Sequence, residues 1–312
     1  MSIRHCPPGP GAQAPFGFLV LDKPAGLSSH SCVSRVRRAY GLKRVGHGGT
    51  LDPAVTGVLP IALGPATRLL PYLGGDKVYR GSVQLGVRTS SDDLEGEVLQ
   101  RCPWPQDLDR TGIEAALAPF RGPIEQVPPQ VSAVHIDGVR AYQRARRGET
   151  MELAPRPVCI HRLELLDWDP SCGELELEVA CSAGTYIRSL ARDLGTALGC
   201  GGALARLRPT SALGFGIEQA VSWAELDPEH LAAGAPLPPL LDPLEALRVL
   251  PRQQLQLSDV AGWRCGRQLL AAAAWEPDTS VVITTPTGAL AGMARATDAG
   301  TLQPKLVLDA AG

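Results

Sequence analysis

The strongest constraint in this chain is a glycine-rich loop with one acid at its centre: Arg44-Val45-Gly46-His47-Gly48-Gly49-Thr50-Leu51-Asp52-Pro53-Ala54-Val55-Thr56-Gly57. Between Asp22 and Asp76, Asp52 is the only acidic residue, set among seven basic ones: Lys23, Arg35, Arg37, Arg38, Lys43, Arg44 and Arg68. A lone carboxylate in that setting lies on the path a polyanion would take. Glycines on either side of His47 predict positive φ and a backbone that comes close to a ligand. Asp-Pro is equally a helix-start signal, with Asp52 as N-cap and Pro53 as the first helical residue, and spacing alone favours that reading. A cap and a chemical role are compatible.

The flanking segments predict a mixed α/β fold. Phe16 to Leu21 is a short apolar run that reads as a buried strand, and Lys23-Pro24-Ala25-Gly26 turns the chain. A helix follows, with Ser28 or Ser29 at its cap and Gly41 after its end. Val33, Val36 and Tyr40 share its inner face; Arg35 and Arg38 point away, either into solvent or toward phosphate. The apolar stretch from Leu59 to Leu70 reads as packing support. Tyr79, Gly81, Val83, Leu85 and Val87 alternate with polar residues and predict a half-buried strand with Tyr79 on its core side. From alternation alone Tyr79 is an ordinary core tyrosine.

Beyond an acidic loop at Arg88 to Leu99 and a helix at Thr111 to Phe120, an insertion opens at Val127-Pro128-Pro129. From Val139 to Gly148 it carries Arg140, Arg144, Arg146, Arg147 and Tyr142 with no acid. A solvated face would use acids in i,i+4 pairs, whereas basic charge with an aromatic suits phosphate contact and base stacking. Leu163 to Asp169 and Glu174 to Val179 read as strands, the second with Leu175, Leu177, Val179 and Cys181 inward and its glutamates outward. Thr185 then caps a helix whose stripe is Ile187, Leu190, Leu194 and Leu198, ended by Gly199. Arg188 falls in the first turn, where the helix dipole opposes a cation by roughly 0.3–1 kcal/mol. It is either an exposed arginine or one with a carboxylate partner.

A chain of 312 residues accommodates one large domain and a small one. Its formal charge of −2 means that any nucleic-acid surface must be local. Basic charge is carried almost wholly by arginine, whose planar fork suits phosphate. The eight cysteines form no Cys-x-x-Cys pair and no zinc spacing with histidine, and read as reduced thiols of a cytoplasmic protein. The Pro/Gly-rich residues 1–15 read as a flexible leader without signal-peptide character, and no run is long and apolar enough for a membrane span. There is no P-loop or dinucleotide fingerprint.

The stretch GHGGTLDPAVTGVLPIALG resembles the catalytic motif of pseudouridine synthases, most closely the bacterial tRNA pseudouridine synthase B (TruB) family. The resemblance continues through LDKPAGLSSH, KVYRGSVQLGVRTSSDDLEGEV, PPQVSAVHIDGVRAYQRARRG and CSAGTYIRSLARDLG, in order over roughly residues 16 to 250. It implies Asp52 as the catalytic acid, Tyr79 lining the uridine pocket, and Arg188 pairing with Asp52. It implies a substrate-binding set of His47, Leu207, Lys23, Arg140, Tyr142, Arg144 and Tyr186. The segment 127–153 becomes a mobile clamp over the tRNA. The family's paired arginines are Arg208-Pro209 here, which removes any contact of the second.

The fold expected is therefore a catalytic domain over 16–247 with a mixed, mainly antiparallel sheet. A small β-barrel-like PUA domain follows over 248–312, read from short strands at Val281 to Thr284, Ala289 to Ala294 and Lys305 to Leu308. The catalytic domain is expected to fold and act without it. The activity implied is isomerisation of the T-loop uridine of tRNA by a monomer, with no cofactor and no obligatory protein partner. Two rivals are a guide-RNA-dependent synthase and a non-catalytic tRNA-folding chaperone. The long insertion argues against the first, and Asp52, Tyr79 and Arg188 together argue against the second.

Overall fold

The computed structural model describes residues 15–308 apart from 133, 137, 146 and 150. The expected leader, except Pro15, and Arg146 of the insertion lie outside the described residues, as do the side chains of Arg140 and Tyr142.

The chain opens with β1 (Gly17–Lys23) and α1 (Ser29–Tyr40), then β2 (Val45–His47) and β3 (Gly57–Leu63), which bracket the Asp52 loop. Ser28 caps α1 by accepting the Ser31 N–H, and Gly41 ends it in the left-handed region at φ 64°, both where the sequence placed them. β1, β3 and β2 form an antiparallel sheet in that order, and every residue of β3 is buried. Arg35 of α1 is neither solvated nor free for phosphate. Its guanidinium lies 4.5 Å from the centroid of Trp223, donates to the Leu226 carbonyl at 3.1 Å and faces Asp227.

The next strands are β4 (Lys77–Leu85), β5 (Val87–Thr89) and β6 (Val98–Arg101), followed by α2 (Arg110–Leu117) and β7 (Gly122–Gln126). The insertion holds a small hairpin, β8 (His135–Ile136) and β9 (Val139–Arg140), and α3 (Ala141–Ala145). Then come β10 (Arg156–Asp169), β11 (Glu174–Cys181), α4 (Ile187–Ala197), β12 (Gly202–Ala212) and β13 (Phe215–Gly216). The main sheet is antiparallel throughout, in the order β13-β12-β4-β11-β10-β7. Tyr79, Val83, Leu85, Leu175, Leu177 and Val179 point to one face, where α2 and α4 cover them with Ile113, Leu117, Ile187, Leu190 and Leu194. Thr185 does not cap α4; its hydroxyl turns back to the Ser182 carbonyl, and Tyr186 holds the cap position without a side-chain bond.

The C-terminal strands are β14 (Arg252–Gln254), β15 (Leu269–Leu270), β16 (Ser280–Thr284), β17 (Leu290–Ala296) and β18 (Thr301–Val307). They form one sheet in the order β14-β16-β17-β18-β15, antiparallel except for the β14–β16 pair. The sheet curls until its edge strands meet through a side chain: Gln253 of β14 donates to the Leu270 carbonyl and accepts the Ala272 N–H. This curled sheet has a core of its own around Trp263, Val281, Ile283 and Leu302. Its other face joins a second cluster, in which Val282, Leu290, Met293, Leu306 and Leu308 pack with Phe18, Val20, Ala62 and Leu69.

Candidate active site

The Asp52 loop is held by backbone bonds from every side. Ser29, at the start of α1, donates its hydroxyl to the Leu51 carbonyl at 3.2 Å and accepts the Leu51 N–H at 2.9 Å. Gly26 N–H donates to Pro53 O, and Gly48 N–H to Pro60 O. Thr56 N–H donates to Leu207 O, tying the loop to β12. No helix begins at Pro53: residues 53–54 form a turn closed by Val55 N–H on Asp52 O at 3.1 Å, so Asp52 is not a helix cap. The glycines also act differently from the sequence expectation. Gly46, Gly48 and Gly49 all lie outside the left-handed region, and the positive φ (+106°) falls at Gly57. There a Cβ would sit 2.4 Å from the Pro209 carbonyl oxygen, so the loop's exit against β12 requires glycine.

Lys23 was expected among the substrate-binding residues, but it has no exposed surface. Its ammonium donates to the carbonyls of Pro24, Pro53 and Val55 at 3.1, 3.0 and 2.5 Å, so its protons go to backbone, two of the three bonds reaching the Asp52 loop. Burial pushes its pKa down, opposed by the negative potential of Cys32 and Asp52. Lys23 thus braces the loop from beneath.

Arg188 projects from the first turn of α4, its side chain 13% exposed, with Nη2 3.3 Å from Asp52 Oδ2. Its Nη1 lies 3.4 Å from Asp93 Oδ2 and 3.3 Å from the Ser91 carbonyl. Two carboxylates thus offset a cation placed against the helix dipole. Asp93 is itself fixed, accepting the Ser91 hydroxyl and the Glu95 N–H on Oδ1. One turn along α4, Arg192 pairs with Asp92 at 2.9 Å and donates to the Val127 carbonyl where the insertion begins. Burial pushes the Asp92 carboxyl up, while Arg192 and Arg188 pull it down. In the sequence, Arg88 to Leu99 reads only as an acidic loop. The available signal was the adjacent pair Asp92-Asp93 against Arg188 and Arg192 at i,i+4 spacing.

Tyr79 is 7% exposed and pairs across the sheet with Val179 on one side and Pro209 on the other. Leu207 pairs with Gly81 and so shares Tyr79's face. Burial pushes the Tyr79 phenol well above its ordinary range, which keeps it protonated at neutral pH and opposes use of a phenolate as base. His47 ends β2, half-buried, opposite Ile61. Its Nδ1 is buried and has no hydrogen-bond partner among the described residues. Burial lowers the His47 pKa, so the ring is neutral.

Tyr186 packs against Val134, Ala141, Met151 and Leu153 of the insertion, while Gln126 grips its backbone at both N–H and C=O. It therefore seats the inserted segment at the start of α4. Arg144 lies in α3, and Arg147 approaches Glu149 at 4.0 Å on the surface. Arg208 forms a two-pronged ion pair with Asp22 at 2.9 and 2.7 Å, so this arginine, next to the family's missing one, locks β12 to β1.

The description "TruB family pseudouridylate synthase (N terminal domain)" matches residues 37–187, a span that holds His47, Asp52 and Tyr79 and stops one residue short of Arg188. Over 96% of the chain and 99% of the relative, it is 65% identical to a protein named tRNA pseudouridine synthase B from Parasynechococcus marenigrum (strain WH8102). The chain belongs to the TruB family. A relative of the same name from Synechococcus sp. (strain WH7803) is 57% identical over 96% of the chain and 99% of the relative. One from Gloeobacter violaceus (strain ATCC 29082 / PCC 7421) is 47% identical over 94% and 98%. Among solved structures, that of a Cbf5-Nop10-Gar1 complex superposes with a TM-score of 0.71 at 26% identity, covering 94% of this chain and 84% of that one. That likeness places the TruB chain in the pseudouridine synthase fold with its curled C-terminal sheet. Among the described residues, no helix is long and apolar enough to cross a membrane.

Proposed function

We propose that this TruB-family chain converts the T-loop uridine of tRNA, position 55, to pseudouridine. The reaction breaks the N1–C1′ bond, turns the uracil and joins C5 to C1′; C5 loses a proton and N1 gains one. Asp52 acts on the sugar, as nucleophile at C1′ or as base at C2′. The observation that carries this reading is the Asp52 carboxylate, 55% exposed, held 3.3 Å from a largely buried Arg188. A carboxylate open to a ligand and fixed by a buried cation is poised for chemistry, whereas a surface ion pair has both groups wet.

Tyr79 stacks on or hydrogen-bonds the uracil as a neutral phenol, and Leu207 walls the same pocket. The uridine must leave its folded loop, and neutral His47 fills the place it vacates. Arg140, Tyr142 and Arg144 of the insertion grip the tRNA backbone, with Tyr186 seating that segment. Lys23 serves the site indirectly, through the loop backbone. The division into a catalytic domain (16–247) and a PUA-like RNA-binding domain (248–312) belongs to the same proposal. So does action as a cytoplasmic monomer without cofactor or protein partner.

Purified protein incubated alone with an unmodified tRNA transcript tests this reading. Pseudouridine at the T-loop position is the expected result. Formation only when a guide RNA is added would make the chain a guide-dependent synthase, and tRNA refolding without pseudouridine would make it a chaperone.

A further inference from the structure

Away from the Asp52 site, three side chains from two segments meet at the end of the main sheet. Cys159 and His161 lie at alternate positions of β10 and so share a face, and the Cys159 sulfur is 3.5 Å from His161 Nδ1. The opposite ring nitrogen, Nε2, is 3.0 Å from Asp76 Oδ1, in the loop that leads into β4. With Nε2–H donating to the carboxylate, Nδ1 carries the lone pair that faces the thiol. Sulfur and carboxylate sit on opposite ring nitrogens, so they cannot converge on one cation. Instead they form a relay: thiol, proton acceptor, orienting carboxylate.

We propose that Cys159 is a reactive thiol, and that this site takes low-molecular-weight disulfides by thiol–disulfide exchange. His161 accepts the thiol proton on Nδ1, and the Cys159 sulfur attacks one sulfur of the disulfide. A new S–S bond forms to Cys159 as the old one breaks, and the departing thiolate leaves as a thiol with the proton held by His161. No other oxidant or reductant is consumed.

The setting separates Cys159 from the other cysteines. Cys32, Cys181 and Cys200 are buried, Cys172 and Cys265 are exposed, and Cys102, half-buried like Cys159, has its sulfur against the Gln100 side-chain amide at 3.0 Å and no histidine. Cys172 turns its thiol to the Asp169 carbonyl, and its hydrogen bond with the Asp169 carboxylate raises its pKa. Cys159 is half-buried, and its position is fixed by paired bonds with Ser182: Cys159 N–H to the serine hydroxyl and Ser182 N–H to the Cys159 carbonyl, both at 2.9 Å. His161 and Asp76 are open to solvent at 41% and 59% side-chain exposure, leaving room for a small reagent. Among the described residues, the charged neighbours include Lys77, next to Asp76 in the chain, and Glu125, which pairs with Pro157 two residues before Cys159 on β10.

Full-length protein treated with limiting glutathione disulfide near pH 7, then mapped peptide by peptide by mass spectrometry, tests the proposal. Cys159 is expected to form its mixed disulfide faster than Cys172 and Cys265, although both are more exposed. His161→Gln should slow Cys159 by roughly tenfold and leave Cys172 and Cys265 unchanged. Asp76→Asn should slow Cys159 by a smaller factor, because the ring loses its orienting partner. Unchanged circular dichroism and Tm for both variants confirm the fold, as expected for exposed side chains. The proposal is overturned if reactivity follows exposure, with Cys172 or Cys265 ahead of Cys159, or if His161→Gln leaves the Cys159 rate unchanged.

Discussion

Arg188 reaches Asp52 with one guanidinium nitrogen and Asp93 with the other, at 3.3 and 3.4 Å. The arginine is therefore a bridge, with the less exposed carboxylate setting where the more exposed one is held. Asp93→Asn keeps the shape and removes the charge that anchors Arg188. Single-turnover pseudouridine formation should fall by roughly 10- to 100-fold, the scale of a small misplacement of a reacting group, while tRNA affinity stays near wild type. An unchanged rate would mean that Asp93 does not position Arg188.

Lys23 supports the same loop from the other side. Lys23→Met keeps the length and apolar stem but leaves the Pro24, Pro53 and Val55 carbonyls without their shared donor. Loss of charged hydrogen bonds at a fully buried site should cost about 3 kcal/mol of stability. Chemical denaturation measures it, and turnover should fall with it because the Asp52 backbone loosens. A variant as stable as wild type would show that the loop holds itself.

His47 gives a pH signature. Burial lowers its pKa in the folded chain below its ordinary value of 6.5, so the unfolded chain takes up the proton first as pH falls. The stability tied to neutral His47 is present above 6.5 and is lost progressively below it. His47→Gln, which cannot be protonated, should lose less Tm between about pH 7.5 and about pH 5.5 than wild type. Parallel Tm profiles would remove the buried histidine from the pH dependence.

The C-terminal sheet bears on how the chain folds. Removing residues 248–312 would strip Val282, Leu290, Met293, Leu306 and Leu308 from the cluster they share with Phe18, Val20, Ala62 and Leu69. The sequence predicts a catalytic unit that stands alone, whereas this shared cluster leads to the opposite expectation. The truncated chain should show a lowered Tm and aggregate through its uncovered apolar face. A truncated protein with wild-type Tm would restore the independent domain.

Much of the fold was legible because burial leaves a period in the sequence. β11 alternates leucines with glutamates because one face is core, and α1 is framed by Ser28 and Gly41, whose caps need only local residues. What was not legible depends on distant partners. Arg35 looks like a surface cation until Trp223 and Leu226 come beneath it from nearly two hundred residues away. The shared cluster needs strands from both ends of the chain, and no local period announces it. At the site, the resemblance led to Asp52 and Arg188, and the structure places them in contact. The resemblance implies a substrate contact for Lys23, and only its three carbonyl partners, brought together by the fold, give it a structural role. Asp93 carries no local signal, because an acid in a loop is usually wet, and only the fold sets it against Arg188.

Asp52 itself gives the most direct test. Asp52→Asn is nearly isosteric and removes the charge and the nucleophile, and the braces from Ser29, Lys23 and Gly26 act on backbone atoms that the change leaves in place. Single-turnover conversion of an unmodified tRNA transcript, with excess protein and tRNA binding measured alongside, is the decisive measurement. The account predicts no detectable pseudouridine with binding near wild type. Conversion above about a tenth of the wild-type rate would contradict it and place the chemistry on another residue.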